Sequence, residues 1–387
     1  MKFMGYRRPD NTVGIRNHIL VLPTVNCANQ VARGIALNTK GATWVEHQHG
    51  CSQLGADAEQ TARAFIGHGT HPNVYGIVVV GLGCEVIRAQ DVAEEIKKQC
   101  PYKPVYTVII QDEGGSNKSI QVGAAAAQRM VVEASRLQRE PMDASELILG
   151  TECGGSDACS GLSGNPALGA ASDLLIDAGG TSILAETAEL IGAEHIIAER
   201  AVSPEIKERC YATIRAFEDL AKSTGVDMRG SNPTPGNIEG GISSIEEKSL
   251  GCVYKAGSRP LNDVIGWARK VTTKGLVFMD TPGNDIEQLT GMVAGGCHLC
   301  VFTTGRGTPT GSAIAPTIKV ATNTALFAKM QDNMDINAGT IITGDETVQQ
   351  VGQRIFDEML EVASGKVTKA EVVGQNDFAI SRIGPTM

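Results

Sequence analysis

The chain has 387 residues, 42% hydrophobic but only 4% aromatic, with 45 glycines, ten cysteines and a net charge of −9. That length exceeds one ordinary core and predicts two or more domains, while the acidic balance excludes nucleic acid or an anionic membrane surface as the main partner. The first residues have no signal-peptide core and no apolar run is long enough to span a bilayer, so the expectation is a cytoplasmic protein whose cysteines serve as thiols, metal ligands or small buried hydrophobes.

In chain order, residues 5–16 are polar and turn-rich. His18–Thr24 then predicts a buried strand, followed by a helix over 28–38. A second strand at 42–46 runs into His47-Gln-His-Gly-Cys51, with a helix over 57–66. The third, Val74–Val80, is the clearest apolar run; it ends in Gly81-Leu-Gly-Cys-Glu85 before a helix over 89–98. A fourth, 105–110, leads into a helix ending near 137. Four strand–helix units predict a Rossmann-like parallel sheet for residues 1–140.

Residues 141–387 predict a second α/β domain. Its strands fall at 147–150, 182–185, 275–279 and 299–302, and its helices at 166–177, 187–200, 204–222, about 284–294 and 346–364. An irregular segment, 225–251, rich in Gly and Pro at its start, reads as a cover over a cleft. The fold class is therefore α/β, with two or more Rossmann-like parallel-sheet units.

Three strand ends present a cysteine beside glycine: Cys51, Cys84 and Cys153. Turns at the carboxyl ends of parallel strands open on one edge, so these thiols are expected either to converge or to be no more than small side chains where strands end. Converging, they would suit an iron–sulfur cluster with an open iron, or one Fe2+ completed by His47 or His49, either of which could also move a proton. Cys100, Cys210 and Cys252 read as structural, Cys159 as packing, and Cys297-His-Leu-Cys300 as core rather than a metal knuckle. Thr303-Thr304-Gly305-Arg306-Gly307-Thr308 reads as an anion cradle: glycines let a ligand approach the backbone, hydroxyls donate, and Arg306 offers a planar fork. Glu85, Asp157, Glu186 and Lys248 stand beside turns or apolar runs as candidate acids or bases, or as caps.

Read together, Gly5-Tyr-Arg-Arg-Pro-Asp-Asn-Thr-Val-Gly-Ile-Arg-Asn17, Gly81–Glu85, Glu152-Cys-Gly-Gly-Ser-Asp157, Asn165-Pro-Ala-Leu-Gly169, Glu246–Gly251 and Phe302–Pro309 resemble the large domain of altronate and galactarate dehydratases over essentially the whole chain. The resemblance implies iron-dependent elimination of water from a sugar-acid type 2-hydroxy acid, giving a 2-keto-3-deoxy acid. It places Cys51, Cys84 and Cys153 around iron, and His47, His49, Glu85 and Lys248 among the catalytic groups. Ser156, Asp157, Asn165 and the 303–308 turn fall to the substrate. It also implies a small SAF-type domain, expected here as a separate subunit of an oligomer. That split arrangement resembles (2R)-sulfolactate sulfo-lyase, which eliminates bisulfite to give pyruvate. A non-catalytic small-molecule-binding subunit is the remaining alternative.

Overall fold

A computed structural model describes all 387 residues. Its first sheet is built from β3 (His18–Pro23), β4 (Ala42–Trp44), β5 (Val74–Gly81) and β6 (Val105–Ile109), all parallel in the order β4-β3-β5-β6. Such strands are covered on both faces and so read as continuous apolar runs, β5 most of all. Ile19, Val21, Val78 and Val80 pack on helices Asn29–Leu37 and Ser116–Ala134. Their alternates Leu20, Leu22, Ile77 and Val79 face helices Gly55–Thr70 and Ala89–Gln99.

The second sheet has seven parallel strands: β8 (Ile148–Cys153), β9 (Thr181–Leu184), β10 (Leu261–Ile265), β11 (Gly275–Met279), β12 (Leu299–Thr304), β13 (Thr317–Ala321) and β14 (Ile336–Asn337), in the order β10-β11-β9-β8-β12-β13-β14. Both parallel sheets of the expected α/β class are thus present. One face of this sheet carries helices Gly164–Asp177 and Val348–Ala363. The other puts Ile183, Met279 and Phe302 into the same core as Phe65 and Val79 of the first sheet, with helices Gly55–Thr70 and Asp285–Ala294 between them. The two sheets therefore share a core.

Four local expectations are corrected. Within the stretch taken as turns, β1 (Lys2–Arg7) and β2 (Val13–Gly14) form an antiparallel ribbon with β7 (Glu140–Asp143), so the segment between the sheets is paired with the chain's start. Strands β10, β13 and β14 were not anticipated. The helix expected over 187–200 is broken at Gly192, which has φ +89°, into a 3-10 turn Thr187–Leu190 and a short helix Glu194–Ala198. The segment 225–251 holds three short helices, Met228–Ser231, Pro235–Glu239 and Ile245–Val253. No helix is long and apolar enough to cross a membrane.

Candidate active site

In the seven-stranded sheet β8 has β9 on one side and β12 on the other, so the chain order reverses there, where open α/β sheets leave a crevice at their carboxyl edge. Cys153 ends β8 opposite Thr303 of β12. The backbone N–H groups of Gly305 and Arg306 donate to Gly155 O at 3.1 and 2.8 Å, so the turns after β8 and β12 form one structure. Asp157 clamps it, accepting from Ser160 Oγ and Thr322 Oγ1, both at 2.9 Å, and Asn323 Nδ2 at 3.0 Å. Asn165 accepts from Thr303 Oγ1 at 2.6 Å and donates to Gly251 O at 2.9 Å. Thr304 Oγ1 accepts from Gly307 N–H at 3.0 Å, and the Thr308 and Thr310 hydroxyls are 2.9 Å apart. Arg306 is exposed and pairs with Glu239 of the 225–251 segment at 2.9 Å. That segment lies over the turn: Ala158 N–H donates to Gly240 O and Asn237 Nδ2 to Ser156 O. Beneath it is a cavity of about 320 Å³ whose walls include Cys153, Ser156, Asn165, Glu247 and Lys248.

Behind Cys153 lies a buried polar cluster. Lys248, Cys252 and Lys255 fall at i, i+4 and i+7, one stripe along helix Ile245–Val253 and the turn after it. Lys255 Nζ lies 3.1 Å from Cys252 Sγ and 3.4 Å from Cys153 Sγ, and is ion-paired to Glu186. Lys248 Nζ is 2.6 Å from Glu189 Oε1 and 3.2 Å from Asn232 Oδ1. Glu186, fully buried, holds a left-handed backbone (φ +71°, ψ +64°), a costly conformation for a non-glycine residue that persists only where the surroundings enforce it. Its N–H donates to Thr281 Oγ1 at 2.7 Å, which fixes the turn.

The electrostatics follow from burial and these pairings. A hydrogen bond from Cys252 and the nearby ammoniums of Lys255 and Lys248 hold the Cys153 thiol well below the usual range, and Cys252 is pushed up correspondingly. Burial raises Glu189 to about 7 against the pull of Lys248, and raises Asp285 to about 6. Glu152, before Cys153 on the other face of β8, is pushed well up by burial, and neither of its oxygens has a partner. The ligand atoms of Cys153, Glu186, Glu189 and Cys252 all lie within 4.8 Å of one another. Two sulfurs and two carboxylates make a donor set that could hold a metal ion. Lys255 supplies the positive charge at that point of the structure.

The other expected residues lie elsewhere. Cys153 does not meet Cys51 and Cys84, because those two follow strands of the four-stranded sheet, where both are exposed. His47 is buried with both ring nitrogens engaged, Nε2 to Pro23 O at 2.8 Å and Nδ1 accepting from His49 N–H at 3.1 Å, and burial lowers it to about 4, which keeps it neutral. His49 Nδ1 is 3.0 Å from Arg382 Nη1. Glu85 staples its own turn, accepting from Gly83 N–H at 2.6 Å and Thr24 Oγ1 at 3.3 Å. Cys100 and Cys210 are buried, as expected; Cys252 is not merely structural. Sequence reasoning passed over Lys255 and Glu189, and the Lys248–Cys252–Lys255 stripe was the signal that could have found the first of them.

Comparison with known proteins covers the whole chain. Residues 5–135 match the family model described as D-galactarate dehydratase/altronate hydrolase, second domain, and residues 144–386 match D-galactarate/altronate dehydratase, C-terminal. An altronate dehydratase from Bacillus subtilis (strain 168) is 36% identical over 398 residues, covering 100% of this chain and 78% of the relative. The (2R)-sulfolactate sulfo-lyase subunit beta of Chromohalobacter salexigens is 36% identical, covering 98% and 97%. A galactarate dehydratase (L-threo-forming) from Escherichia coli (strain K12) is also 36% identical, covering 94% and 73%.

Proposed function

The chain belongs to the D-galactarate/altronate dehydratase family, whose named relatives are lyases, and from that premise we propose that it is the large catalytic subunit of an iron-dependent lyase. In this reading it removes water from a sugar-acid type 2-hydroxy acid to leave a 2-keto-3-deoxy acid. The observation that carries the reading is the Glu189–Lys248 pair, held at 2.6 Å with Lys248 on the wall of the cavity at the switch point. Elimination needs a base for the proton beside the carboxylate and an acid for the departing hydroxyl. Glu189, raised to about 7, takes the first role, because a base works best with a pKa near the operating pH. Lys248, whose burial is outweighed by Glu189 so that it stays protonated, takes the second.

Ser156 and Asn165 on the cavity wall orient the substrate, Asp157 keeps the adjoining 303–308 turn in place, and the exposed Arg306 of that turn is available for the carboxylate. The 225–251 segment excludes water. Cys153, Glu186 and Cys252 would be the donors for an Fe2+ ion, which leaves Glu189 free to act as the base. Bound there, iron would act as a Lewis acid toward the substrate's hydroxyl. A small SAF-type subunit in a cytoplasmic oligomer completes the enzyme; one relative is itself named as a subunit beta.

Equal identity to a sulfo-lyase subunit favours bisulfite as the second leaving group to test. Co-expression with a small SAF-type partner, followed by a screen of sugar acids and (2R)-sulfolactate, separates the readings. Keto acid from a sugar acid without sulfite is the expected outcome. Sulfite and pyruvate from sulfolactate alone would establish the second, and no keto acid from any of them would overturn the lyase.

A further inference from the structure

Of the ten cysteines only Cys27, Cys51 and Cys84 are exposed. They follow β3, β4 and β5, three neighbouring strands of the four-stranded sheet, and so sit together on its carboxyl edge. The loops that carry them are tied to one another. Asn26 N–H donates to His49 O at 3.0 Å, Ile87 N–H to Gly50 O at 3.2 Å, and Thr24 N–H to Val80 O at 2.9 Å. Gly50 (φ +98°) passes so close to β3 that a Cβ there would stand 1.9 Å from Thr24 O. Ser52, next to Cys51, takes a left-handed φ of +54°, and Gly83, next to Cys84, a φ of +125°. Glycine takes such angles freely, so the strain is at Ser52, and backbone strain at a non-glycine residue gathers where a loop must present a particular atom. Exposed free thiols are otherwise a liability, and three of them on one tied edge call for an occupant.

We infer that Cys27, Cys51 and Cys84 bind an iron–sulfur cluster of the four-iron type, each thiolate holding one iron and the fourth iron left open. Three adjacent strands span about 10 Å between the outer two, a width suited to a multinuclear cluster. A single ion bound at about 2.3 Å from each sulfur would need its ligands far closer together. The tight donor group in the chain is instead the one around Cys153, and these three cysteines are not part of it. Thiolates select iron–sulfur clusters among the candidate centres, and three of them leave one iron free for a ligand. Loading a preformed cluster makes three sulfur–iron bonds and releases three thiol protons, with no net oxidation or reduction. Beside the site His47, His49 and Glu287 line a cavity of about 360 Å³, the space available to a ligand of the open iron.

The inference is independent of the elimination proposed at Cys153, and its test is read without activity. The full chain, purified anaerobically and reconstituted with equal parts of ferrous and ferric iron and with sulfide, is expected to hold about four irons and about four acid-labile sulfides. It should show the Mössbauer and visible absorption signatures of a cluster. Cys27→Ser, Cys51→Ser and Cys84→Ser should each abolish them while the circular dichroism is unchanged, and Cys153→Ser should leave them intact. In the unmutated protein, reconstitution should protect all three thiols from alkylation. Iron without sulfide, or a full cluster in Cys27→Ser, would overturn the assignment. A cluster present in a protein without lyase activity would overturn only the proposed function.

Discussion

Lys255 is fully buried among Glu186, Cys153 and Cys252, and it balances the negative charge behind the cavity. Removing one partner of a buried pair leaves the other unpaired in low dielectric, at a cost of about 3–5 kcal/mol. Lys255→Met should therefore lower stability by about 3 kcal/mol. It should also move the Cys153 thiol up toward its ordinary range, since an ammonium that holds it down is gone. Thermal melting and thiolate ultraviolet absorbance against pH check both; an unchanged melt with an unshifted thiol would refute the charge balance. Glu189→Gln bears on catalysis more than on folding. Loss of a general base costs about 10²–10⁴ in rate, so kcat should fall by that order with KM little changed. An unaltered kcat would remove Glu189 from the reaction.

At the scale of elements, how much the chain discloses depends on burial. β3, β5, β8 and β12 are buried on both faces and stand out as apolar runs. β10 carries Asn262 and Asp263, and β13 carries the buried Lys319 across the Phe302 ring, 3.7 Å from its centre; those polar residues hide both strands from a pattern built on hydrophobicity. The glycine turns after β8 and β12 were legible as chemistry, and they do meet. The convergence expected of Cys51 and Cys84 with Cys153 was not met, because the end of a parallel strand identifies an edge but not the sheet that owns it. Gly305 shows how closely the two turns fit. A Cβ there would stand 2.1 Å from Asp157 Cγ, and that carboxylate cannot retreat from Ser160, Thr322 and Asn323. Gly305→Ala should cost about 1–3 kcal/mol and raise KM by loosening the turn. Melting and steady-state kinetics measure these effects, and unaltered values would mean that the clamp does not shape the site.

Across the whole molecule the two sheets are joined twice, by the shared core and by the C-terminal tail, which returns to the first unit. Arg382 grips Asp57 through Nε at 2.8 Å and Nη2 at 2.8 Å. The N–H groups of Ile383 and Gly384 also donate to this carboxylate, and Gln60 Nε2 donates to Ser381 O at 2.8 Å. Phe378 and Ile380 of the same tail line the cavity beside His47 and His49, so the staple also shapes the carboxyl edge of the four-stranded sheet. Burial pushes the Asp57 carboxyl up, but Arg382, Gln53 and the two backbone donors outweigh it and hold it well below the usual carboxylate range. A carboxyl depressed in the folded state binds fewer protons there than in the unfolded chain. Its contribution is thus complete above the unfolded pKa of about 3.9, and is lost as pH falls from there toward the folded value. Acid should therefore release the tail. Asp57→Asn should be less stable at neutral pH by about 3 kcal/mol, with Arg382 left unpaired, and it should lose less further stability on acidification than the unmutated chain. Melting from pH 7 down to about 3 compares the two, and limited proteolysis should cut the tail of Asp57→Asn first. Parallel acid profiles with equal tail cleavage would show that the join between the units does not depend on this pair.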